Sequence, residues 1–306
     1  MTETYTEPEL ITARRRHIGA YLFLAPALLF LAVFFAYPVL WMFRVSVSEY
    51  QPTTGSARTV ALSYYADVLS SASTWRSILN TVYFASIYIP LTLALAGAIA
   101  FLLNRCVRSR AALKVAFCAP YIIPVAAAAL IWRAAYQPNG GAIDRTLHLF
   151  GYQHGSGWAG WLAEPYLALP CIALMCVWRD AGLFALILLA TLARVPKTAI
   201  ELAKADGATK WETFKYVTFP MCLGTIGLCT IMLIINVQNV FQEIYVMTED
   251  GGPANWTVNI PFLVYHNVYN KYDWGHATAL SSVLFAVVVV LILVQNRLLN
   301  RRLNWK

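Results

Sequence analysis

Six stretches of this chain are long and apolar enough to cross a lipid bilayer, at roughly residues 18–44, 76–103, 114–136, 166–192, 217–246 and 277–297. The hydrocarbon core is about 30 Å thick, so about 20 apolar residues in a helix span it. No water is available there to satisfy the backbone, so each span must satisfy its hydrogen bonds internally, as a helix does. The expected fold is therefore an all-α integral membrane protein with six transmembrane helices. Several runs exceed a minimal span, and tilt accommodates the excess. The composition agrees: 59% of residues are hydrophobic and only 12% are charged, less charge than a soluble domain carries.

The distribution of basic residues sets an orientation, because cytoplasmic loops carry the excess of Lys and Arg. With the N-terminus inside, sixteen of the 23 basic residues fall on that side, including Arg14–Arg16, Arg105, Lys114, Lys197, Lys204, Lys210 and Arg297. Both termini are thus expected to be cytoplasmic, with a segment 1–17, a membrane domain 18–298 and a tail 299–306. The net charge of +8 then reflects topology and lipid attraction rather than nucleic-acid binding. The apolar run after Arg14–Arg16 is too long for a cleaved signal peptide and is expected to be retained as the first span. The cysteines form no C-x-x-C pair, and buried free thiols are the expectation.

One polar island interrupts this pattern. "RVPKTAIELAKADGATKWETFKYVTFP" follows the fourth span on the inside. Thr198 with Glu201, and Thr209 with Glu212, both have capping-box spacing, in which a threonine caps the helix start and a glutamate reaches back to the cap amide. Gly207 lies between them, where a glycine ends a helix. The prediction is a short helix, a glycine turn and a second short helix over about 196–219, with Pro220 opening the next span. Reconnecting two spans needs only a handful of residues. Trp211 and Phe214 fall on one side of the second helix, ringed by Lys210, Glu212 and Lys215. An aromatic anchor with a charged rim fits a protein-docking face, and a helix resting on lipid is the competing reading.

Here the chain resembles the inner-membrane permease subunits of binding-protein-dependent ABC importers. Their signature is a cytoplasmic loop, E-A-A-x-x-x-G followed by I-x-L-P. This chain has Glu201-Leu202-Ala203-Lys204-Ala205-Asp206-Gly207 and then Val217-Thr218-Phe219-Pro220, departing only by apolar exchanges. Asn80-Thr81, "APYIIPVAAAALIWRAAYQPNGG" and "FQEIYVMTEDGGP" resemble the carbohydrate-type branch, and the likeness runs from about residue 20 to 298. The resemblance implies a type I importer permease fold with a cytoplasmic helix-Gly-helix coupling loop, in a bacterial inner membrane. It implies that Glu201, Ala203, Asp206, Gly207, Ala208, Lys210, Trp211 and Phe214 couple the chain to an ATPase. It further implies a second homologous permease, two ABC ATPase subunits that bind the ATP and Mg, and an extracytoplasmic solute-binding protein. This chain would bind no cofactor.

Polar residues inside spans are functional candidates by default, because a charge at mid-bilayer costs about 2.5–3.5 kcal/mol on insertion scales. The fourth span contains Trp178-Arg179-Asp180. Neighbouring positions do not share a helical face, so one charge is expected to face the cavity and the other a partner permease. The competing reading is an interhelix salt bridge. In the fifth span Asn236, Asn239 and Glu243 share a face at i, i+3 and i+7. Amides and carboxylates suit sugar hydroxyls, which both donate and accept. Trp132 and Tyr136 are candidates for stacking on a sugar ring, and Ser281 and Ser282 are weaker ones.

No G-x-x-x-x-G-K-[ST] occurs, and the five histidines make no metal-binding spacing, which argues against an ATPase and a metalloenzyme. An ion-coupled secondary transporter would need coupling-ion sites at broken helices and would leave the polar loop without a purpose. The resemblance favours a mono- or oligosaccharide as solute. Glycerol phosphate or a glycerophosphodiester is the alternative within the same machinery.

Overall fold

The computed structural model describes residues 23–303 apart from 52–55, 61, 106–109, 139, 152–157, 250 and 253–254. The expected N-terminal segment with Arg14–Arg16, residues Cys106 and Arg108, His154, Pro253 and the end of the tail with Lys306 lie outside the described residues.

The elements run α1 (Phe23–Ser46), β1 (Ser48–Gln51), β2 (Ser56–Thr59), α2 (Ser63–Ser70), α3 (Ala72–Arg105), α4 (Arg110–Ile122), α5 (Val125–Ala135), α6 (Ala142–Leu149), α7 (Pro165–Leu192), α8 (Lys197–Ala205), α9 (Lys210–Asn239), α10 (Gln242–Thr248), α11 (Ile260–Tyr269) and α12 (Trp274–Leu303). The expected all-helical membrane protein is present, with one addition. After α1, β1 and β2 pair antiparallel, with Ser48 opposite Thr59.

Among the described residues, five helices are long and apolar enough to cross a membrane, namely α1, α3, α7, α9 and the membrane-length part of α12. The third expected span is a bent pair instead: α4 and α5 meet at 93°. The cause is local. Pro124 has no amide to donate and clashes with a helical residue before it, so α4 closes with the amide of Ile123 on the carbonyl of Pro120, at 3.2 Å. The fifth expected span also breaks. α9 stops at Asn239, and α10 restarts at Gln242.

α3 and α7 form the centre. Phe84, Tyr88, Leu103, Ile172, Met175 and Phe184 interlock there, each at most 2% exposed. Helices in lipid gain little from hydrophobicity and associate by close van der Waals contact, which favours small interface residues. Ala96, Ala100, Ala173, Ala181 and Ala185 supply that contact and are fully buried or nearly so. α1 stands apart. From Phe23 to Pro38 it is exposed throughout, and only its end joins the bundle. There Phe43 meets Phe285 edge-on at 6.0 Å, and Ser46 shares a 2.7 Å hydrogen bond with the Tyr65 hydroxyl. The five described cysteines are free.

Candidate functional site

The polar loop folds much as its sequence predicts. α8 ends in a Schellman motif, with Ala208 N–H donating to the Ala203 carbonyl and Gly207 N–H to that of Lys204, at 3.0 Å each. This geometry needs a left-handed residue at Gly207, whose φ is +86°. The second capping box is formed. Thr209 Oγ1 accepts from Glu212 N–H at 3.3 Å, and Glu212 Oε2 accepts from Thr209 N–H at 2.8 Å. The first box is not formed. α8 starts earlier, at Lys197 with Pro196 as its cap and no side-chain cap bond. Proline at the boundary fixes φ and costs no helix donor, so Thr198 lies inside the helix.

The second half of the loop differs from expectation in another way. Pro220 opens no new helix. α9 runs from Lys210 through a π-helical turn at Phe214–Thr218 into the membrane, a single 30-residue helix. Phe214 anchors its start, with ring centroids 6.4 Å from Phe101 and 6.2 Å from Phe219. Trp211 stacks on Phe214 at 5.8 Å yet is 68% exposed, and Leu202 on α8 is 66% exposed. Glu201, Asp206, Gly207 and Lys210 are exposed, while Ala203 and Ala208 are half-buried beneath the turn.

At the other end of α9 lies a small polar pocket of about 130 Å³, lined by Tyr121, Val125, Arg179, Asn236, Asn239, Gln242 and Glu243. Two helix breaks build it. Tyr121 and Val125 flank the α4–α5 bend, and the other break separates Asn236 and Asn239 on α9 from Gln242 and Glu243 on α10. The expected i, i+3, i+7 face therefore does not exist as one helix surface. Tertiary structure gathers the same residues around a kink. Asn259 makes that kink tolerable by donating to the freed Val240 carbonyl and accepting from Phe262 N–H at 3.0 Å. Asn80 reaches the same region, donating to the Val258 carbonyl at 2.8 Å.

Arg179 and Asp180 do not point apart as neighbouring helix positions suggest. The long Arg179 side chain folds back, placing Nε 2.8 Å from Asp180 Oδ1 and Nη2 3.3 Å from Oδ2, while Nη1 donates to Glu243 Oε1 at 3.0 Å. Tyr88 on α3 donates to Asp180 Oδ2. A buried network thus ties α3, α7 and α10 together, near the centre of α7. Asp180 is fully buried and lies behind Arg179, out of the pocket. Tyr88 and Gln242 were not among the residues the sequence singled out for the site. A tyrosine two residues before Pro90 in an apolar run is the one signal for the former.

Trp132 and Trp178 face elsewhere. Their rings lie 5.6 Å apart and line a separate apolar cavity of about 720 Å³ between α3, α4, α5 and α7. Tyr136 is buried with its hydroxyl 3.2 Å from the Cys171 carbonyl, which removes it from the stacking candidates. Ser281 and Ser282 donate to carbonyls of their own helix, at 2.8 Å each.

The model of the family described as "binding-protein-dependent transport system inner membrane component" matches residues 17–305. The trehalose/maltose transport system permease protein MalF of Thermococcus litoralis is 30% identical over 88% of this chain and 89% of its own. The diacetylchitobiose uptake system permease protein NgcF of Streptomyces coelicolor is 31% identical over 72% of this chain and 66% of its own. A subunit in the crystal structure of a bacterial ABC transporter for the acidic polysaccharide alginate shares the fold, with a TM-score of 0.80, 19% identity, and coverage of 96% and 99%. Spans, loop and kinked pocket thus accompany a family match over nearly the whole chain, and the protein belongs to the inner membrane components of binding-protein-dependent transport systems, as a permease subunit and not as the ATPase.

Proposed function

We propose that this chain lines the passage of a sugar or oligosaccharide through a bacterial cytoplasmic membrane, with both termini and the α8–α9 loop on the cytoplasmic side. An extracytoplasmic binding protein delivers the solute, and two ATPase subunits, which hold the ATP and Mg, drive its passage. The observation that carries this reading is that the loop and the pocket are two ends of one helix. A displacement of Lys210–Thr213 is transmitted along α9 to Asn236 and Asn239, about 40 Å away at 1.5 Å per residue. Trehalose, maltose and diacetylchitobiose in the names of the relatives support a carbohydrate. The stretch of α1 from Phe23 to Pro38 is exposed among the described residues, and its apolar surface is free to pack on a second permease.

Leu202 and Trp211, on either side of the Gly207 turn, are the apolar anchors proposed for the ATPase, with Glu201, Asp206 and Lys210 around them. Buried aromatic anchors carry a disproportionate share of interface energy, about 2 kcal/mol or more each. The double variant Leu202→Ala/Trp211→Ala is expected to lose more than tenfold of ATP-driven uptake in proteoliposomes while its thermal melting is unchanged, since both side chains are mostly exposed. Uptake retained at the level of the parent protein sinks this assignment. Uptake that follows an imposed ion gradient without ATP sinks the importer reading itself.

A further inference from the structure

We propose that the pocket at the α9–α10 kink selects neutral, hydroxyl-rich solutes over anionic ones, and that Glu243 is the residue that sets this selection. The inference rests on the reading of that pocket as part of the solute path. Kinship leaves solute charge open, because a solved structure with this fold is described as an importer of an acidic polysaccharide.

Arg179 is the one cation lining the pocket, and on its own would suggest an anion site. The geometry reverses that. Its single positive charge faces two carboxylates, Asp180 through two contacts and Glu243 through one. With both carboxylates ionised, the network carries one negative charge in excess. A phosphate or carboxylate entering the pocket gains from Arg179 only by pulling it off partners that are themselves buried, and buried charges left unpaired are strongly unfavourable.

The acceptor side is the part left open. Glu243 is 3% exposed, and its Oε1 is taken by Arg179. Its Oε2 is buried with no hydrogen-bond partner. An ionised carboxylate only accepts, and a buried acceptor without a donor is a vacancy that a ligand fills at a gain. A solute hydroxyl is such a donor, whereas an anion brings a like charge to the same oxygen. The amides of Asn236, Asn239 and Gln242 beside it both donate and accept, as a polyol requires. The cavity of about 130 Å³ has room for about four waters at 30 Å³ each, enough for one edge of a sugar ring and its hydroxyls.

The test uses the assembled importer, with its binding protein and ATPases, in proteoliposomes. Uptake of maltose, trehalose and lactose is compared with uptake of glycerol 3-phosphate and a uronate disaccharide. The expected result is uptake of at least one neutral sugar and of neither anion. The Glu243→Gln variant is expected to lower kcat for that sugar more than tenfold, with binding-protein affinity unchanged. Asn239→Ala, which removes an exposed pocket amide and no buried charge, is expected to raise its KM without loss of assembly, so the proposal stays testable should Glu243→Gln fail to fold. Preferred uptake of an anion overturns the charge selection and leaves the importer reading standing. Unchanged uptake in Glu243→Gln, or in Asn239→Ala, overturns the pocket assignment. No ATP-driven uptake of any probe overturns both the charge selection and the carbohydrate reading.

Discussion

An Arg179→Met protein is expected to be the least stable single variant in the membrane interior, losing about 3–5 kcal/mol or failing to assemble. Removing one member of a buried ion pair leaves the other charge uncompensated, and that cost is about 3–5 kcal/mol. Arg179 is the worse member to lose because it serves two carboxylates. Without it, fully buried Asp180 and nearly buried Glu243 remain as like charges in the same network. Asp180→Asn is expected to cost less, since Arg179 keeps Glu243 and the amide oxygen still accepts from Tyr88. Arg179→Lys falls between them, because a single ammonium cannot reproduce the fork that spans Asp180. Melting of the purified permease in detergent, followed by size-exclusion chromatography, ranks the three. An Arg179→Met protein that melts like the parent yet fails to transport makes the guanidinium a solute contact instead of a clamp.

The second large effect is expected at Gly182. A Cβ placed there lies 1.8 Å from the Phe117 carbonyl oxygen and 2.5 Å from its carbon, all backbone of α4. A flexible side chain yields to such a contact, but a helix backbone does not. Overpacking a tight interior costs about 1–3 kcal/mol or more, and Gly182→Ala belongs at the upper end because α4 must move as a body. That movement carries Tyr121, so the pocket is expected to change with it. Gly97→Ala is the matched control. It lies in the interior of α3 with nothing within 4 Å of the added carbon, and alanine is the better helix former by about 1 kcal/mol. Lower melting for Gly182→Ala beside equal or higher melting for Gly97→Ala is the expected pair of results. Equal melting for both contradicts the close approach of α4 and α7.

These predictions show where local pattern ends and packing begins. The spans were legible because apolar length is a one-dimensional property that the bilayer reads directly. The α8–α9 loop was legible for a similar reason, since Gly207 and the Thr209–Glu212 box act within a few residues of themselves. The α4–α5 break was written in Pro124, although the angle was not. The missed first capping box was also local: Pro196 and Thr198 compete for one boundary, and proline takes it.

The pocket is a different matter. Asn236, Asn239, Glu243 and Arg179 stood out as polar residues in apolar runs, yet their arrangement depends on a kink at Val240 that no proline or glycine marks. That kink is held by Asn259, which lies beyond the end of α10, and by packing against α5 and α11. The direction of Arg179 was equally hidden. Helical periodicity fixes where a Cβ points, but a side chain with four rotatable bonds goes where its charge finds partners, and Tyr88 and Glu243 supply that surrounding network from other helices. The sequence by itself determined a six-run helical membrane protein with a folded polar loop, because those features follow from length and near-neighbour chemistry. Only the tertiary structure decided which polar groups are spent on each other and which oxygen is left open, because burial and pairing are properties of residues far apart in the chain.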